Sequence, residues 1–382
     1  MNSVYAALPT TIFEIVSDIA RKTGAVNLGQ GFPDDRGPED VRHKAAEAIV
    51  DGWNQYPPML GLPELRQAVA THYGHHHGLE LDPAREVMIT SGATEAIADA
   101  LFALIEPGDE VILFEPMYDA YLPLVRRAGG IPRFVTLAPP DWQFTRDALE
   151  AAVSLNTKIL LFNNPLNPAA KVFSRDELEL LAQFCVDHDL IAVCDEVWEH
   201  VIFDGRQHLP LIGFPGMRDR TVKIGSAGKI FSLTGWKVGF VCAAPALLDQ
   251  LAKAHMFMTF TTPPNLQTAV AYGLGKGDAY FAGVSARFQA SRDRFVSGLR
   301  QIGFTVLPSE ATYFVNIDIT PLGEPDDVEF ALRLVNRFGV AGIPVSAFYP
   351  SGNVHNVIRF CFAKNDETLD KALSRLANVP VE

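Results

Sequence analysis

The chain has 382 residues, 48% of them apolar and 20% charged. That balance excludes a disordered protein, and the length allows two packed lobes. A formal net charge of −13 excludes broad nucleic-acid binding, and no run of about 18 apolar residues is present to cross a membrane.

The N-terminus lacks a basic region followed by a long apolar run, so no leader peptide is expected. Leu28–Asp40 is rich in Pro and Gly and precedes any regular alternation. Pro63–Gly78 reads as a helix whose end carries His72, His75, His76 and His77. His72 and His76 stand at i and i+4, a spacing that can bind metal. No cysteine or paired acidic ligand lies nearby in sequence. The expectation is a solvated helix end whose imidazoles complement the dipole, with no metal site.

From about residue 85 short β-branched runs alternate with amphipathic stretches. Strands are predicted at Val87–Thr90, Glu110–Phe114, Lys158–Phe162, Leu190–Cys194, Val222–Gly225 and Val238–Ala243. Helices are predicted at Ala93–Ile105, Tyr118–Arg127 and Ser174–Asp187. Such alternation implies an α/β fold with a mainly parallel sheet covered on both faces. Sheets of that kind bind ligands at the carboxyl ends of their strands. From about residue 280 the texture changes. A helix over Tyr280–Ile302, strand character over Phe304–Ile317, a helix over Asp326–Phe338, a strand at Val357–Phe362 and a helix at Glu367–Leu376 predict a smaller α+β lobe. The expected division is 1–40 as an N-terminal segment packing on the small lobe, 41–279 as the large domain, and 280–382 as the small one. Four cysteines, Cys185, Cys194, Cys242 and Cys361, form no CxxC pair. They read as buried thiols in a reducing, cytoplasmic compartment.

Five motifs carry chemistry. The most informative is GSAGKIFSLTGWKVG at Gly225–Gly239. Lys229 sits among small residues just after a strand, where lost hydration would lower its pKa and free an amine to attack a carbonyl. Ser226 and Lys237 beside it suit a phosphate. A P-loop needs four residues between its glycine and its Gly-Lys pair, and only two are present. Ser226-Ala-Gly-Lys229 also fits the SxxK of serine acyl enzymes, but no SDN or KTG follows. A second motif, Thr90-Ser91-Gly92-Ala93-Thr94-Glu95, opens a helix after a strand, where free N–H groups favour an anion. Taken alone, Thr94 could simply be a helix cap.

A third motif places Asp195 at the end of an apolar strand, where a carboxylate is costly unless paired. A protonated pyridine nitrogen would pair it and become an electron sink; a capping role is the alternative. The fourth is NNPLNP at Asn163–Pro168, where the Asn167 amide could bond a phenolate oxygen or simply make a turn. The fifth is Arg359 in the apolar run Val357–Phe362. Its planar fork suits a substrate carboxylate, unless a nearby acid forms a structural salt bridge with it.

With these motifs in order, the sequence resembles the class I/II aminotransferases of pyridoxal-5'-phosphate (PLP) fold type I. It is most similar to the branch of kynurenine aminotransferases, glutamine transaminase K and methionine aminotransferases. LGQGFPD, NQYPP, TSGATEAI, EPMYDAY, NNPLNPAAKVF, CDEVW, SAGKIFSLTGWKVG and IRFCFAK carry the likeness from Leu28 to Lys364. The resemblance implies a seven-stranded, mainly parallel sheet in the large domain and a small domain built from both chain termini.

It also implies PLP joined to Lys229 as a Schiff base. Asp195 would meet the ring nitrogen, Asn167 the ring oxygen, and Tyr118 the ring face. Backbone N–H groups of Ala93 and Thr94, with Ser226 and Lys237, would hold the phosphate. Tyr56 would reach the phosphate in a partner copy, making a homodimer with shared sites. Arg359, Gly31 and Asn167 would receive the substrate carboxylate. The implied activity is ping-pong transfer between an L-amino acid and a 2-oxo acid. No second arginine stands out for a side-chain carboxylate, so neutral, sulfur-containing or aromatic donors are favoured. Cysteine-S-conjugate β-lyase activity at the same site is the alternative. Two positions depart from the family. Trp198 stands where a tyrosine is usual, and Ala170 replaces a turn glycine, which would be strained if φ is positive.

Overall fold

The computed structural model describes residues 2–380. Its centre is a sheet of seven strands: β1 (Val87–Thr90), β2 (Glu110–Glu115), β3 (Ile131–Thr136), β4 (Thr157–Asn163), β5 (Ile191–Asp195), β6 (Thr221–Ser226) and β7 (Gly239–Ala243). The order is β1-β7-β6-β5-β4-β2-β3. Strands β2 to β6 pair in parallel, and β7 runs antiparallel to both β1 and β6.

The side-chain period of two sorts each strand between two cores. Ile112 and Phe114 of β2, with Ala192 and Cys194 of β5, pack beside Leu178, Leu181 and Phe184. Val111, Leu113 and Val193 face the other way, onto Ala96, Ile97, Ala100 and Leu101. Helix α2 (Ala93–Leu104) and helix α3 (Arg175–Asp187) supply these covering faces, while helix α1 (Pro63–His77) packs through Leu65, Val69 and Tyr73 with Val87, Ile89 and Phe240 of β1 and β7. Buried on both sides, the inner strands read as continuous apolar runs. Helix α3 starts on a capping box, with Ser174 and Glu177 each satisfying the other's backbone N–H.

A second sheet holds β8 (Thr305–Val306), β9 (Phe314–Asp318), β10 (Ile343–Pro344) and β11 (Val357–Cys361), ordered β10-β11-β9-β8 and antiparallel throughout. The helix Asp278–Ile302 covers it through Phe288, Phe295 and Leu299, which pack with Phe360 and Phe362. The N-terminal segment lies against the same unit. Val26–Asn27 pairs in parallel with Val340–Ala341, and Asp34 N–H donates to the Ala363 carbonyl at 3.1 Å.

Several elements differ from the sequence reading. Strand β3 was not foreseen: it is an edge strand with a proline and largely exposed side chains, so it lacks an apolar run. The helix expected from Tyr118 begins at Tyr121, which leaves Tyr118 in the preceding turn. Phe304–Ile317 is two short strands, and the helix from Asp327 ends in a wider π turn at Leu334–Phe338. The end of α1 is solvated only in part: His75 is exposed as expected, but the other histidines are covered in whole or in part. His72 is buried, and the His77 side chain is 5% exposed. The last turn packs against His200, after β5, and against Phe281 of the long helix. Only tertiary packing covers it, so local sequence gives no sign.

Candidate active site

The carboxyl ends of β4, β5 and β6 and the start of α2 meet at a cavity of about 180 Å³. Thr94, Tyr118, Asn167, Asp195, Trp198, Ser226, Lys229 and Lys237 all line it, as does Ala93. These are residues singled out in five separate stretches of sequence, brought together because parallel strands end at one edge.

Lys229 stands on the single turn Ala227–Ile230 that follows β6. Its Nζ lies 4.4 Å from the centroid of the Trp198 ring, and its backbone carbonyl accepts from the Tyr313 hydroxyl at 3.1 Å. Burial pushes the amine down to about 8, against the attraction of Cys361 and Asp195. Near neutrality a useful fraction is therefore unprotonated and nucleophilic.

Asp195 ends β5 and is buried. Its Oδ2 accepts from the Tyr121 hydroxyl at 2.5 Å and its Oδ1 from the Val197 N–H at 3.4 Å. Burial raises its pKa, and these two bonds offset only part of that. Both hydrogen-bond partners are neutral, so the carboxylate has a strong preference for a cation arriving from the cavity.

An anion seat lies at the other end. Helix α2 starts without a side-chain cap after Gly92, whose φ is +83°, so the N–H groups of its first residues have no partner within the helix. Two glycines permit the close approach. A Cβ on Gly239 would lie 2.6 Å from the Gly92 carbonyl carbon, and one on Gly92 would lie 3.1 Å from Lys237 Nζ. Lys237 itself is held at φ +54°. Backbone donors, the Ser226 hydroxyl and the Lys237 ammonium thus converge, which suits a phosphate. A flat ring with a basic nitrogen, a carbonyl and a phosphate tail matches this donor set group for group, so the residues fit PLP.

Asn167 and Arg359 form a third corner. Asn167 N–H donates to Asn163 Oδ1 at 2.8 Å, and its Oδ1 accepts from Arg359 Nη1 at 2.9 Å. That leaves the Asn167 amide nitrogen as a donor. Arg359 is buried in β11, donates from Nη2 to the Gly29 carbonyl at 3.2 Å, and lies 3.9 Å from the Phe314 ring centroid. Its acceptors are neutral and its Nε has no partner. Burial lowers its pKa to about 10. Among the described residues no acid makes the structural salt bridge weighed for this arginine, and Asp119 acts on it only at longer range, so the guanidinium suits an anion.

Three assigned residues stand off the cavity wall: Arg359, which reaches it through Asn167, and Gly31 and Tyr56. Gly31 lies on the Phe314 ring, where a Cβ would meet Cζ at 2.5 Å. It shapes the site through the ring under Arg359. Tyr56 is 82% exposed and meets Phe260 edge-on at 5.6 Å. Trp198 is buried edge-to-face with Tyr313 and turns its ring face toward Lys229. Ala170 has φ +60° and is buried, so the strain foreseen for that turn is present. Sequence reasoning missed Tyr121. The run EPMYDAY contained both tyrosines, but nothing local marks the second as the donor to Asp195.

The family profile "Aminotransferase class I and II" matches residues 23–376. A probable N-succinyldiaminopimelate aminotransferase of Mycobacterium tuberculosis is 44% identical over 379 residues, 96% of each chain. The methionine aminotransferase of Escherichia coli is 37% identical, covering 97% of this chain and 96% of that one. The solved structure of N-succinyldiaminopimelate aminotransferase from Mycobacterium tuberculosis superimposes with a TM-score of 0.96 over 99% of both chains, at 43% identity. The chain belongs to the class I and II aminotransferases, enzymes of fold type I that work with pyridoxal 5'-phosphate.

Proposed function

We propose that this aminotransferase moves the amino group of an L-amino acid with a neutral, sulfur-containing or aromatic side chain to a 2-oxo acid, with Lys229 as its catalytic residue. The observation that carries the assignment is the Lys229 amine, lowered to about 8, sharing one cavity with the buried Asp195 carboxylate. Bound PLP supplies an aldehyde for the amino group and a ring that takes up electrons from the substrate's α-carbon.

Lys229 Nζ would hold that aldehyde at rest, and its free amine, placed in the cavity, would serve as the group that accepts and returns the substrate's α-proton. Asp195, fixed by Tyr121, would pair with the ring nitrogen and favour its protonated form. Asn167 would donate to the ring oxygen, Tyr118 would meet the ring face, and Trp198 would wall the cavity beside Lys229. The N–H groups of Ala93 and Thr94, with Ser226 and Lys237, hold the phosphate. Arg359, positioned by Asn167 and by Phe314 over Gly31, grips the substrate carboxylate. One product leaves before the second substrate enters, so the kinetics are ping-pong.

On this reading the chain divides into an N-terminal segment 1–40, a PLP-binding domain 41–279 and a small domain 280–382. A second copy covers the exposed Trp53, Tyr56 and Phe257, each more than four-fifths exposed. Tyr56 then reaches the partner's phosphate, and the sites are shared in a homodimer. All four cysteines are free and buried, which supports a reducing, cytoplasmic setting.

A purified holoenzyme offered a panel of amino donors and 2-oxo acids tests the assignment. Methionine and aromatic donors are expected to turn over fastest. The 44%-identical relative supports a second reading, N-succinyldiaminopimelate as donor, which the same panel separates. Pyruvate and ammonia formed from cysteine conjugates without an oxo acid would instead mark β-lyase activity. Lys229→Ala should cut turnover by ~10³-fold or more. Turnover surviving that substitution would overturn the assignment.

A further inference from the structure

We propose that His72, His76 and His200 form a binding site for a borderline divalent cation, Zn²⁺ or Ni²⁺, which clamps the end of α1 to the turn that follows β5. His72 and His76 project from one face of α1 at i, i+4. The third imidazole comes from 128 positions beyond His72. His72 Nε2 and His200 Nε2 face each other at 2.7 Å. One nitrogen from each of the three rings lies within 4.8 Å of the other two. Two imidazoles on one tetrahedral ion, at ~2.1 Å each, would stand ~3.4 Å apart. The facing pair therefore needs to open by only a fraction of an ångström.

Three neutral imidazoles suit Zn²⁺, Ni²⁺ or Cu²⁺ and not the oxygen-seeking Mg²⁺ or Ca²⁺. Burial disfavours the cationic form of His72 and of His200, which leaves their lone pairs available. His72 Nδ1 is buried without a partner. His76 is half-buried at the rim of a cleft that also presents His77, Glu199 and Asp278, so the fourth coordination position opens to water. Glu199 lies beside the site, 3.3 Å from His77, but it is already engaged by Lys223 and Tyr73 and is not one of the ligands. Outward, His75 is paired with Asp278 at 2.7 Å, and these two share His76 in a more exposed grouping that His75→Ala tells apart from the His200 site. The turn being clamped begins at Asp195 and carries Trp198, so the ion would stiffen one wall of the catalytic cavity from outside it.

The test is calorimetric titration of chelator-treated holoenzyme with Zn²⁺ and, separately, Ni²⁺. The result expected is one ion per chain and a higher Tm with metal. His76→Ala, at a half-exposed position, and His200→Gln should each weaken binding at least ~tenfold. His75→Ala should leave it unchanged. Tm without metal checks that each variant is folded. Absence of binding to the wild-type holoenzyme would overturn the site and leave a hydrogen-bonded histidine pair stacked on Phe281. So would binding that survives both His76→Ala and His200→Gln, or that needs His75.

Discussion

Asp195 and Glu196 are adjacent in sequence, both buried, and electrostatically opposite. Asp195 faces the cavity, bonded only to neutral groups, and burial raises its pKa. Glu196 faces a saturated network. Lys223 Nζ lies 3.2 Å from Glu196 and 2.9 Å from Glu199, the Tyr73 hydroxyl donates to Glu199 at 3.0 Å, and His208 meets Glu196 at 3.2 Å. Burial works against the Glu196 carboxylate too, yet Lys223 and His208 outweigh it and its pKa falls below the ordinary range. Burial likewise opposes the Lys223 cation, and Glu199 and Glu196 outweigh it, so its pKa lies well above the usual lysine value. One turn of chain thus holds a carboxylate satisfied by the fold and another whose partner must come from outside.

The largest effect that could break this contrast belongs to the closed network. Lys223→Met would remove the lysine cation that two buried carboxylates share and should cost about 3–5 kcal/mol of stability, read by denaturant unfolding. Turnover per folded molecule should stay near wild type. Asp195→Asn should do the reverse. Turnover should fall on the order of 10²–10³-fold, as when one preorganised electrostatic group is removed, while Tm without cofactor holds or rises. If both variants lost stability equally, the distinction between the two carboxylates would fail.

The open side also predicts a pH dependence. Lys229 has its folded pKa pushed down to about 8 from 10.5. Its unprotonated fraction therefore grows about tenfold per pH unit below that value and levels off above it. Capture of added PLP by the apoprotein should follow that curve; a rate flat from pH 6 to 9 would count against it. Between the two values the unfolded chain binds more protons than the folded one. Apoprotein stability therefore gains as pH rises across that window. The smallest effect is expected at Ala170→Gly. Releasing a left-handed alanine should add about 1 kcal/mol, seen as a modest rise in denaturant midpoint.

What sequence could reveal follows the same division. The gathering of Lys229, Asp195 and Asn167 at one cavity, with Arg359 bonded to Asn167, was legible because each sits in a local motif whose cost or reactivity is unusual for its surroundings. The sheet was legible where strands were continuous apolar runs, as in β2, β4 and β5. The antiparallel direction of β7 was not, because an apolar run carries no arrow. Strand β3 escaped for want of that run. Lys223 read as one polar residue in a strand, since the acids that neutralise it lie in the turn after another strand. Tyr121 and Asp195 are 74 positions apart, and the histidines at the end of α1 look solvent-facing until Phe281 and His200 are folded over them.

The pinch between Gly92 and Gly239 has a consequence for how the anion seat behaves. With no side chain on either residue, the last strand of the sheet presses directly on the root of α2. The seat has no cushion between it and the rigid core, so its width is inherited from the sheet. A methyl group at 239 would act as a wedge, 2.8 Å from the Ala93 nitrogen, and would push that donor out of the seat.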